Sequence, residues 1–160
     1  MPTGEALGTA FLIPALHAGR TLSIQPPADG MWFEGTRELI DIFADWWGLP
    51  KCGPTGQIAA TRTRAPGIGL CFTAGVDSFF SLLRGSHDID TLVHVQGFDI
   101  PLSDARRLRS AEDDARAVAE ALNVACVVVR TNLREHPLFL PIPWDKTHGG
   151  ALICIGHLLG

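Results

Sequence analysis

From residue 68 onward the chain alternates between short apolar runs and longer amphipathic ones. Residues 68–72, 91–96 and 124–129 are nearly continuous apolar runs, the pattern of strands buried on both faces. Residues 76–84 and 103–122, between them, carry apolar side chains at helical spacing. A long loop then leads to a final helix over 149–159. This alternation predicts an α/β fold: an open parallel sheet with helices on both faces. Right-handed crossovers bring the C-terminal ends of such strands to one edge, where ligands bind in open α/β sheets. Gly75 and Asp77, Gln96 and Asp99, and Thr131 and Asn132 all fall at that edge.

The first part of the chain is less regular and predicts a small α+β region. Thr3 is a cap for a helix from about Gly4 to His17, although Pro14 argues against an undisturbed course. Residues 21–24 alternate as a short strand, and 25–30 read as a turn. Thr36 is an N-cap for a helix to Trp47, on which Leu39, Ile40, Phe43, Trp46 and Trp47 follow helical spacing. That spacing assigns at least one of the two tryptophans to the core rather than to base stacking. A weak strand over 57–60 lies between stretches rich in Gly, Pro and Thr. Two regions result, 1–66 and 67–160, with the boundary near Pro66.

Composition narrows the function classes. At 160 residues and 46% apolar content, the chain can bury a full core and is not of disordered type. A net charge of −4 gives no electrostatic reason to expect nucleic acid as a partner. The basic cluster Arg106, Arg107 and Arg109 is followed at once by Glu112, Asp113 and Asp114, as on a solvated helix face. No apolar run is long enough to span a bilayer, and no targeting segment is visible, so a cytoplasmic protein with no membrane partner is the expectation. The four cysteines form no C-x-x-C pair. Cys71 and Cys126 fall in strands and Cys154 on a helix, as structural thiols. Cys52, beside Lys51 in a loop, is the one candidate for reactivity.

The densest chemistry lies where the first of the three strands meets its helix. The strand runs into Thr73-Ala74-Gly75-Val76-Asp77-Ser78 and straight out into an amphipathic helix. Backbone N–H groups and a helix N-terminus converge there, as they do at phosphate sites. No Gly-Lys-Ser/Thr follows, so this is not a Walker A loop, and the G-x-G-x-x-G of dinucleotide folds is missing as well. Asp77 and Ser78 also suit plain helix capping.

These six residues resemble the PP-loop, S-G-G-x-D-S, of the ATP pyrophosphatases (the adenine nucleotide alpha-hydrolase-like group). Thr73 stands in the serine position, and Gly75, Asp77 and Ser78 are retained. Ala74 replaces the first glycine, which is damaging if that position requires a positive φ. Residues 95–102, 131–135 and 148–152 are similar to later segments of a largely uncharacterised PP-loop subfamily, so the resemblance spans nearly the whole chain. It implies a HUP-type sheet and an enzyme that binds ATP with magnesium. Such an enzyme adenylates a small-molecule substrate and releases pyrophosphate.

By this resemblance Thr73, Ala74, Gly75, Val76, Asp77 and Ser78 hold the pyrophosphate end of ATP, and Asp77 holds magnesium. Gln96 lies at the strand end that meets adenine, and Asp99 is a polar group at the same edge or simply a turn residue. Asn132 and Arg134 meet substrate or phosphate, or serve as turn former and surface cation. His148 opens a helix and joins Asp77 and Ser78 as a catalytic group, or is a capping residue. The group's sheet continues beyond the helix that here ends at Gly160. The strand at 68–72 is therefore expected to lack a neighbour. Either the chain is a C-terminally truncated piece, or its N-terminal strands or a second subunit (a homo-oligomer) cover that edge. A non-catalytic ATP- or AMP-binding module, or an incomplete structural fragment, is the alternative.

Overall fold

The computed structural model describes residues 4–60, 66–85 and 88–160. In chain order the elements are α1 (Gly4–His17), β1 (Ser23–Asp29), α2 (Gly30–Trp47), β2 (Thr55–Ala59), β3 (Gly69–Cys71), α3 (Val76–Gly85), β4 (Thr91–Gln96), α4 (Ala105–Leu122), β5 (Ala125–Arg130), a 3-10 turn at Leu133–Glu135, and α5 (Trp144–Leu159). Contacts divide the chain into two compact units, Met1–Arg64 with Pro137–Gly160, and Ala65–His136. The division falls beside the expected boundary at Pro66. The last helix, expected in the 67–160 region, instead groups with the N-terminal elements. No described helix is long and apolar enough to cross a membrane.

In the first unit α1 is continuous in spite of Pro14. Nine of its 14 residues are buried, so packing on several sides outweighs the helix bond that proline removes. Thr3, the expected cap, lies outside the described residues. The stretch expected as a turn is instead strand: β1 runs on to Asp29 and pairs in parallel with β2. Between Ile24 and Ala28 it takes four steps against two on β2, and Pro26 and Pro27, which have no N–H to donate, sit in that excursion.

Helix α2 starts at Gly30 rather than after Thr36. The Asp29 side chain accepts the Met31 N–H at 2.7 Å and forms the cap. The buried Glu5 carboxyl group accepts the Asp29 N–H beside the same helix end. Thr36 is buried in mid-helix, its hydroxyl donating back to the Trp32 and Phe33 carbonyls. The helix ends as expected at Gly48, which takes the left-handed conformation at φ 64°. Trp47 is half-buried and stacks on Phe43, while Trp46 is exposed.

Helix α5 begins at Trp144, with Pro143 in the cap position, so Gly149 and Gly150 lie inside it. Gly150 is explained by packing: a Cβ there would sit 2.8 Å from the Thr9 carbonyl oxygen of α1. The two helices touch backbone to backbone at that point.

In the second unit β3, β4 and β5 form a three-stranded parallel sheet in that order. Leu82 of α3 and Ala115 and Ala119 of α4 share one cluster with Phe72 and Leu92. Both helices therefore cover the same face, the one that carries Leu92. The reason is topological: strand order follows chain order, so both right-handed crossovers turn to the same side. The β1–β2 pair is a separate sheet, so the N-terminal strands do not extend β3, which stands at the sheet edge. The architecture is α/β with two small parallel sheets rather than one large open sheet.

The adjacent glycines of α5 give opposite predictions. Gly150→Ala is expected to lower unfolding free energy by about 1–3 kcal/mol through the clash with Thr9. A Cβ at Gly149 meets nothing within 4 Å. Gly149→Ala should therefore raise stability by about 1 kcal/mol through helix propensity alone. Urea unfolding of the two variants measures both; equal effects would show that α1 and α5 are not in backbone contact.

Candidate functional site

Strand β3 is short because its chain must turn early. Cys71 pairs with Val93, so β3 stops three positions before Gln96, roughly 10 Å at ~3.3 Å per residue. The Phe72 N–H extends the ladder once more, to the Val93 carbonyl at 2.9 Å. Phe72 is fully buried and anchors the loop that follows. That loop leaves the sheet on a lower step than the loops after β4 and β5.

The left-handed turn is made at Ala74, which has φ 59°. This is the position where the PP-loop motif carries its first glycine. An L-residue there costs about 1–2 kcal/mol, because Cβ crowds the following carbonyl. The Ala74 methyl packs on the Phe72–Leu82–Leu92 cluster, which helps hold the turn. The Gly75 carbonyl then starts α3, accepting the Phe79 N–H at 3.0 Å. The N–H groups of Val76, Asp77 and Ser78 precede that first helical bond and have no acceptor within the helix. Thr73, Gly75, Val76 and Asp77 are exposed around this helix end. The Thr73 hydroxyl accepts a long bond from the Gly75 N–H, at 3.4 Å. Ser78 is different: it is buried, and its hydroxyl donates to the Gly75 carbonyl at 2.8 Å. Its side chain supports the turn from within.

One further side chain belongs here: the sequence marks His94 only as part of the strand end that meets adenine by the resemblance. His94 is buried on β4 beside the loop's start, with Nδ1 3.2 Å from the Phe72 carbonyl oxygen. A carbonyl can only accept, so Nδ1 carries a proton. Among the described residues Nε2 has no partner. The signal was visible as a histidine on the same strand face as Leu92, in an otherwise apolar run.

The neighbouring strand ends are tied to each other. Gly97 has φ 99°, and a Cβ there would lie 1.9 Å from the Thr131 carbonyl oxygen, so only glycine lets the two loops meet. The Thr131 N–H donates to the Gln96 carbonyl at 3.0 Å. The Arg134 guanidinium donates to the Phe98 carbonyl, which makes it a brace between loops. The Gln96 side chain is buried and donates to Glu112 of α4 at 3.0 Å, and so turns away from the edge. Glu112 is held below its ordinary range chiefly by the hydrogen bond from Arg116, with Gln96 adding to it. This anchor is therefore intact above the usual carboxylate range and is lost as pH falls through the lowered value. Asp99 and Asn132 are exposed at the same edge. Asn132 opens the 3-10 turn without capping it through its side chain.

His148 belongs to the other compact unit. It lies in the first unit, in the second turn of α5, with Nδ1 3.0 Å from the Asp145 carbonyl. No helix opens at His148, because Pro143 and Trp144 already start one, and this corrects the expectation of a second helix N-terminus there. Among the described residues no group of three His, Cys, Asp or Glu side chains is gathered for a metal. Asp77 is thus a single exposed carboxylate. The cysteines are all free. Burial pushes the Cys71 and Cys154 thiols up, and Cys52 packs on the Leu12–Leu16–Ile40 cluster. Comparisons of the chain with protein-family models, curated proteins and solved structures found no match.

The left-handed turn is directly testable. Ala74→Gly should raise stability by about 0.5–1 kcal/mol, the relief of the Cβ clash less the added chain entropy of glycine. Ala74→Val should lower it, because a β-branched side chain tolerates positive φ poorly. Thermal melts that rank Val above Gly would place Ala74 outside the left-handed region.

Proposed function

We propose that this chain is an ATP-binding protein of the PP-loop type. In this reading residues 73–78 hold the pyrophosphate end of ATP, and β3–β4–β5 is part of an open HUP-type sheet. The observation that carries it is the left-handed φ at Ala74, the motif position where glycine is at home. A positive φ is the case in which replacing that glycine is damaging, and Ala74 bears a cost of about 1–2 kcal/mol there. The exposed Thr73 hydroxyl, the N–H groups at the start of α3 and the strand-end location support the same reading.

The reaction we assign is AMP-forming activation of a small-molecule substrate with loss of pyrophosphate. Magnesium, when bound, would offset the charge that develops on the departing pyrophosphate. Asp77 would hold it, and the helix-end N–H groups would orient the phosphates. Gly97 and Arg134 fix the shape of the loops on the upper step, where Asp99 and Asn132 offer polar contacts. Binding without chemistry is the second reading. It is favoured by Ser78, whose hydroxyl is turned inward and serves the turn.

Calorimetric titration with ATP and magnesium tests the proposal. The wild-type chain should bind, and Asp77→Ala should bind at least about tenfold more weakly, the loss of about 1.4 kcal/mol. A pyrophosphate-release assay then separates catalysis from binding alone. No binding by the wild-type chain would remove the nucleotide reading altogether.

A further inference from the structure

A cavity of about 250 Å³ lies within the first unit, between α1, α2 and α5. Its walls are apolar: Leu12 and Ile13 from α1, Phe43 and Trp47 from α2, and Ile153 from α5. Drug-sized ligands occupy roughly 300–1,000 Å³, so this space suits a single ring or a short branched chain and is too small for a nucleotide. At its rim the Lys146 ammonium lies over the Trp47 ring, 5.2 Å from the centroid. Trp47 is in turn stacked on Phe43, at 4.9 Å and 6°. The cation is held in place by an aromatic pair rather than by a carboxylate. Among the described residues Lys146 makes no ion pair.

Gly149 is the second observation. It sits in the middle of the α5 face that lines the cavity, between Asp145 and Lys146 on one turn and Ile153 on the next. Glycine is unfavourable inside a helix, and no protein atom explains it at this position, since a Cβ would meet nothing within 4 Å. Gly150, its neighbour, is fully explained by Thr9. The missing side chain at Gly149 leaves room in the cavity. Asp145 also stands at the rim, but it is exposed and its field is screened by water, whereas Lys146 is half-buried.

We propose that this cavity binds a small monocarboxylic acid with an apolar body. The body lies between α1, α2 and α5 over Gly149, and the carboxylate pairs with Lys146. This site is independent of the nucleotide reading and is tested without nucleotide.

Phenylacetate is the probe, and phenylacetamide is its neutral isostere. Binding is followed by ligand-observed NMR and by tryptophan fluorescence. Phenylacetate should saturate the protein, and the amide should bind about tenfold more weakly, in line with the loss of one charge-assisted contact. Lys146→Met keeps the apolar stem and removes the charge, and it should abolish the preference for the acid. Gly149→Leu fills the cavity and should abolish binding of both ligands while circular dichroism is retained and the melting temperature does not fall. Equal affinity of the wild-type protein for acid and amide would overturn the role of Lys146. Undiminished binding by Gly149→Leu, or no saturation by either ligand at millimolar concentration, would overturn the site.

Discussion

Parallel pairing of β4 with β3 on one side and β5 on the other is the constraint from which the candidate site follows. Because Cys71 is opposite Val93 while Gln96 is opposite Arg130, the three strand ends are staggered. The β3 loop opens low, and the β4 and β5 loops stand above it. The same register sets His94 beside the Phe72 carbonyl and Gln96 beneath Glu112. A slip of one residue would reverse every side chain on β4 and would take Leu92 out of its cluster. The pairing therefore fixes the core and the site together.

On this frame the loop at residues 72–78 is held from inside. Phe72 is buried below it, His94 bonds its first carbonyl, and Ser78 bonds the carbonyl of Gly75. These contacts over-determine the turn and allow Ala74 to remain in a conformation that costs about 1–2 kcal/mol. Strain of this kind persists only where the surroundings supply more than its cost. The groups that face outward, Thr73, the helix-end N–H groups and Asp77, are those with capacity for an anion and a cation.

The first unit is governed by a different contact, the approach of α1 to α5 at Thr9 and Gly150. A glycine that breaks an isolated helix here permits two helices to meet. At Gly149, beside it, a Cβ would meet nothing within 4 Å, and the cavity there is lined by Leu12, Phe43 and Ile153. Glu5 and Asp29 organise the other end, one as a buried carboxyl group and the other as a cap on α2.

Local pattern alone determined much of this protein. The apolar runs that became β4 and β5, the amphipathic stretches of α3 and α4 and the stop at Gly48 were legible because each depends on neighbours in sequence. So was the strand–loop–helix at residues 73–78, whose residue types suit one sharp turn into a helix. What escaped the sequence rested on distant partners. Pro14 inside α1, Gly149 and Gly150 inside α5, and strand character through Pro26 and Pro27 all run against local propensity, and burial or pairing outweighs it. Thr36 looked like a cap, but Asp29 took that role with Glu5 bonded beside it. The placing of α3 and α4 on one face of the β3–β4–β5 sheet, the grouping of α5 with the N-terminal elements, the sign of φ at Ala74 and the place of His94 were decided only by tertiary structure. Each depends on which strand lies next to which, and on what backbone lies across the gap, which no short window of residues encodes.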